Sequence, residues 1–130
     1  MSKSFDANVF IQFDDLLCLA DQELKQNPDA LNVVVIQTVN GDIVTALLRD
    51  ATDDDFVCAI AQQSEKVITA LKEQGNPVIS VILTLFRGNT PDIPSFALRQ
   101  ALIELNPENA QALILLGPSI GRTIASTMPG

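Results

Sequence analysis

The chain has 130 residues with no linker, internal repeat or low-complexity segment, so residues 1–130 are expected to form one domain around a single core. Apolar residues make up 47% and charged residues 18%, and Trp and Tyr are absent, which excludes a disordered chain and leaves a core of Val, Ile, Leu, Ala and six Phe. The net charge is −8 and the eight Lys and Arg are scattered singly, which excludes the concentrated basic face that a phosphate backbone needs; no nucleic-acid partner is expected.

In chain order, Phe13, Leu16, Leu17, Ala20 and Leu24 recur at helical spacing and predict a first helix over about 6–26, ended by Asn27 and Pro28. The runs LNVVVIQTV (31–39) and DIVTALL (42–48) are rich in branched residues and flank Asn40-Gly41, a dipeptide that tolerates positive φ at both turn centres. They predict a β-hairpin. After the acidic turn 50–55, Val57, Ile60, Ala61, Ser64, Ile68 and Leu71 give a second helix its apolar stripe. Thr52 and Asp55 have the spacing of a capping box, and Gly75, Asn76 and Pro77 close the helix. VISVILTLF (78–86) is nearly uniform in apolar residues, as a strand buried on both faces is. The Pro-rich RGNTPDIP leads to a third helix with Leu98, Ala101, Leu102 and Leu105 on one face, and ALILL (112–116) is a fourth strand. The closing GPSIGRTIASTMPG reads as a turn and a short element of undetermined type.

This is an α/β chain of order α-β-β-α-β-α-β, expected to form three layers, with helices covering a mixed sheet that opens in a β-hairpin. Strands reached through helical crossovers should lie parallel to a neighbour. The N-terminal MSKSFDANVF lacks a signal peptide's apolar run, and VISVILTLF is too short to span a bilayer, so a cytoplasmic location without a membrane partner is expected. In that compartment Cys18 and Cys58 read as reduced thiols rather than as a disulfide.

Two helix starts carry the functional reading. VCAIA (57–61) and PSFALRQAL (94–102), in this element order, resemble the cytidine deaminase family, whose helices at these places open with Cys-Ala-Glu and Pro-Cys-x-x-Cys-Arg-Gln-x-Leu. In that family three Cys thiolates hold zinc at the converging helix starts and the Glu moves protons between the zinc-bound water and the base. Here Cys58, Ala59, Pro94, Arg99, Gln100 and Leu102 match. Ile60 stands at the Glu position, and Ser95 and Leu98 stand at the two later ligand positions. Cys58, Ile60, Ser95, Leu98 and Arg99 therefore outline what would remain of the cleft. The ribose-binding Asn and Glu of the family align with Leu47 and Arg49, and Val33, Val34 and Val35 fall where small residues adjoin the nucleoside. RTIASTMPG resembles the family's final segment.

The residues also limit the chemistry directly. There is no His, and two Cys cannot furnish the usual ligand set of a catalytic zinc, so neither a metal nor a cofactor is expected. Asp53, Asp54 and Asp55 read as a solvated acidic helix start, with a hard cation as the other reading. Cys58 is expected to be a buried core thiol; as a nucleophile it would have Arg99 in its favour, three aspartates against it and no His as base. Ser95 reads as a helix-start residue and Arg99 as a structural partner for carbonyls or carboxylates. The expectation is a catalytically inert member of the deaminase fold, a binding, structural or regulatory module that self-associates as a homo-oligomer. Two alternatives stand beside it: an enzyme or small-ligand binder that reuses Cys58, Ser95 and Arg99, and a small acidic inhibitor or immunity-type protein whose charge covers a basic protein partner.

Overall fold

The computed structural model describes residues 7–49 and 56–129. The acidic turn with Thr52 and Asp53 to Asp55 lies outside the described residues. Helix α1 (Ala7–Gln26) is followed by β1 (Ala30–Thr38), β2 (Ile43–Arg49), α2 (Phe56–Glu73) and β3 (Ile79–Phe86). A two-residue strand β4 (Pro91–Asp92), α3 (Phe96–Leu105), β5 (Leu113–Gly117) and β6 (Ile120–Thr123) complete the order, with 3-10 turns at Pro107–Gln111 and Ala125–Thr127. Relative to the sequence reading, β4 and β6 are additions. Both are short and depend on pairing: β4 forms against Thr84 and Leu85 of β3, and β6 folds back on β5. Neither has a periodicity of its own to announce it.

The sheet is six-stranded and mixed, ordered β2-β1-β3-β5-β6 with β4 beside β3. The β3–β5 pair is parallel, and β1 is antiparallel to both neighbours. Strand β3 is buried along most of its length, as its uniform apolarity demands. Alternate residues divide between two cores. Val33, Val35, Val81, Leu83, Leu85 and Leu115 meet Phe13, Leu16, Ala20 and Leu24 of α1. Val34, Ile36, Val44, Ala46, Ile82 and Ile114 meet Val67 and Leu71 of α2 and Leu98 and Leu102 of α3. The layers are therefore α1, the sheet, and α2 with α3.

The hairpin is present, but Asn40 is not left-handed. Only Gly41 has positive φ, at 92°, and the bonds Gly41 N–H to Thr38 O and Thr38 N–H to Asp42 O, both 2.9 Å, define a three-residue loop with a glycine bulge. A second correction concerns α2. Its sheet-facing residues are Gln63, Ser64, Val67 and Leu71, whereas Val57 is 75% exposed and Ala61 is also exposed. The buried arc is turned by roughly 50° from the expected stripe. Gln63 can lie inside because its amide Nε2 donates to Asn32 Oδ1 at 2.8 Å and to Ala46 O at 3.1 Å. The helix ends as expected, with Gly75 at φ 87° and Asn76 at φ 56°. The N–H groups of Asn76 and Gly75 return to Leu71 O and Lys72 O at 3.0 Å each, a Schellman motif.

Candidate functional site

The strand directions decide where the two helix starts fall. Register pairs Ala30 with Arg49 and Asn32 with Phe86, so the start of β1 and the ends of β2 and β3 share one end of the sheet. Helix α2 leaves from the end of β2, and α3 leaves from the end of β3 by way of β4. Both pack on the same face through one core cluster. The starts of α2 and α3 therefore stand side by side at one end of one face, the placement a shared site requires.

What they present there differs from the expectation at one residue and agrees at others. Cys58, expected to be buried, is exposed, because it lies on the side of α2 away from the sheet-facing Gln63, Ser64, Val67 and Leu71; Cys18 is exposed as well, and both are free thiols. Ile60 is half-buried on the first turns of α2. Ser95 is the N-cap of α3, its hydroxyl accepting from Leu98 N–H at 3.2 Å. Leu98 is 1% exposed and packed into the α2–α3 core cluster. Arg99 is a structural tie: its Nε donates to Pro94 O at 3.0 Å and its Nη1 to Thr127 O at 2.9 Å. Its guanidinium carbon lies 5.7 Å from the centre of the Phe96 ring. The terminal segment is thereby latched across the start of α3, with Ile124 fully buried beneath it.

Zinc does not fit this donor set. Of the three aligned ligand positions, one is an exposed thiol, one a hydroxyl already spent on a helix cap, and one a hydrocarbon sealed in the core. Among the described residues no group of three or more His, Cys, Asp or Glu could hold a metal ion. The aligned ribose positions are also otherwise occupied. Leu47 packs with the α1-side core, and Arg49 Nη1 bonds Asp29 Oδ1 at 2.7 Å and Asn27 Oδ1 at 3.3 Å. Val33, Val34 and Val35 are buried.

Three buried polar residues escaped the sequence reading. Asn32, Gln63 and Thr84 lie on the α2–α3 face toward this same end, and the Thr84 hydroxyl has no protein partner among the described residues. Asn32 stands just before the apolar run Val33 to Ile36 of β1, which is the trace it leaves in the sequence. Around the end stand Phe56, Val57, Phe96 and Ile120, all large, apolar and at least 37% exposed.

No family model matches the sequence, and no curated protein matches it. Solved structures do. The chain is similar to the cytidine deaminase from Bacillus anthracis, with a TM-score of 0.63 and 15% identity over 87% of this chain and 84% of that one. It is similar to the cytidine deaminase from Mycobacterium leprae (TM-score 0.55, 21% identity, 76% and 78% covered). The enzyme from Mycobacterium tuberculosis compares in the same way (TM-score 0.57, 17% identity, 75% of each chain). The fold is that of the cytidine deaminases. Among the described residues no helix is long and apolar enough to cross a membrane.

Proposed function

We propose that the chain is a catalytically inert protein of the deaminase fold, which acts by binding and self-associates. One observation carries the reading: Leu98, at the position of a zinc thiolate, is a fully packed core residue, so the site could not be restored by a side-chain rotation. Ile60 at the proton-shuttling position supports it, since an alkyl group moves no proton. Self-association is supported by the apolar fringe of Phe56, Val57, Phe96 and Ile120 at the same end. Cytidine is expected to leave the melting temperature unchanged and to release no ammonia on incubation; stabilisation by cytidine together with ammonia release overturns the reading. Light scattering at working concentration is expected to give a mass above the 14.0 kDa of one chain.

The exposure of Cys58 favours a second reading, in which the old cleft is reused by a nucleophilic thiol. Its partners argue against it, because Ser95 and Arg99 are both engaged with backbone groups. An activated Cys58 would alkylate much faster than Cys18 at neutral pH; the inert reading expects comparable rates.

A further inference from the structure

Strand β2 is an edge of the sheet, paired with β1 on one side and with no strand on the other among the described residues. The bond from Thr38 N–H to Asp42 O fixes the phase of its ladder. With Ile36 opposite Val44 and Val34 opposite Ala46, the N–H and C=O groups of Val44 and Ala46 point to β1. Those of Ile43, Thr45 and Leu47 therefore point outward. Natural edges are usually shortened, bulged, or guarded by Pro or an inward charge. This one runs seven residues, IVTALLR, without Pro or Gly, and the register shift near its end falls between Ala30 and Asn32 of β1. The opposite edge, β6, has four residues and contains Gly121. Thr45 is exposed and Ile43 is 38% exposed, so the outer edge of β2 is reachable.

We propose that a second copy of this chain adds to the β2 edge, antiparallel, about a two-fold axis through Thr45. The strand is complementary to itself in that arrangement. Thr45 faces the partner's Thr45 and Ile43 faces the partner's Leu47, so every outward main-chain group in the segment meets another. Thr–Thr and aliphatic cross-strand pairs are favourable ones. No like charges meet in this register: Arg49 falls opposite the partner's Gly41 and Asp42 opposite its Leu48. A two-fold contact of this kind is closed, so it yields a dimer rather than a fibre.

This inference rests on the self-association proposed above, and its test separates the two. Thr45→Pro removes an N–H that points out of the sheet, and Pro is tolerated at such edge positions, so the fold should persist by circular dichroism. Light scattering is expected to give twice the chain mass for the wild type and the single mass for Thr45→Pro. Hydrogen exchange on the wild-type protein supplies a second readout that needs no variant: the amides of Ile43, Thr45 and Leu47 should be protected at high concentration and exchange freely on dilution. A wild-type monomer at every concentration overturns both self-association and the edge. A dimer that survives Thr45→Pro, or whose β2 amides exchange freely while it is associated, overturns the edge alone.

Discussion

Asn109 joins elements that no local rule connects. It is fully buried; its Oδ1 accepts from Ile79 N–H at 2.9 Å where β3 begins, and its Nδ2 donates to Leu102 O at 2.8 Å where α3 ends. Asn109→Ala leaves the buried Ile79 N–H unpaired and removes one of two bonds at Leu102 O, which keeps the Asn106 N–H at 3.2 Å, and should lower unfolding free energy by about 1–3 kcal/mol in urea titration. A loss below about 1 kcal/mol would contradict this role. Arg87 does similar work at the other helix: its guanidinium reaches Ala30 O at 3.0 Å, Leu24 O at 2.8 Å and Asn27 O at 2.7 Å, satisfying carbonyls at the C-terminus of α1 where positive charge is favoured. Thr84→Val is expected to change stability by less than about 1 kcal/mol, because it preserves shape and breaks no protein hydrogen bond. Residues of this kind were not legible in the sequence. Asn109 sits in a polar turn, NPENAQ, and the partners that make it structural lie 7 and 30 positions away. The expected burial of Cys58 follows the general tendency of free Cys, whereas its place on α2, away from Gln63, Ser64, Val67 and Leu71, leaves it exposed. Both Cys18 and Cys58 should react with a disulfide reagent on the native protein; a Cys58 that reacts only after denaturation would contradict its exposure.

At the scale of elements, α1 and α3 were legible because their apolar positions form one narrow stripe that the sheet then buries. Helix α2 was legible in existence and extent but not in phase. Its apolar residues span a wide arc, from Val67 and Leu71 to Val57 and Ala61, and the choice within that arc is made by Gln63, whose amide finds Asn32 and Ala46. Leu71→Ala should therefore destabilise by about 2–5 kcal/mol, while Val57→Ala should stay within about 0.5 kcal/mol in the monomeric protein. Equal losses at the two positions would restore the stripe expected from the sequence. The hairpin turn illustrates the same limit, since Asn-Gly permits two left-handed residues without requiring them, and the Thr38–Asp42 pairing settles on Gly41 alone.

For the molecule as a whole, the order of the longer elements was enough to predict three layers and a mixed sheet, and the two short strands were not needed for it. The deaminase resemblance rests on the element order together with Cys58, Ala59, Pro94, Arg99, Gln100 and Leu102, and the fold it implies is the fold found. The site could be read only as an inventory of missing groups. That Ser95 is used as a cap, that Leu98 is a core residue and that Arg99 holds the terminal segment follow from packing, which one sequence does not contain. Together they make the start of α3 part of the fold's own support. The most direct test is the zinc content of protein equilibrated with excess zinc and then dialysed, measured by elemental analysis. The account predicts far less than one zinc per chain and an unchanged melting temperature; one zinc per chain, retained on dialysis and raising the melting temperature, would contradict it.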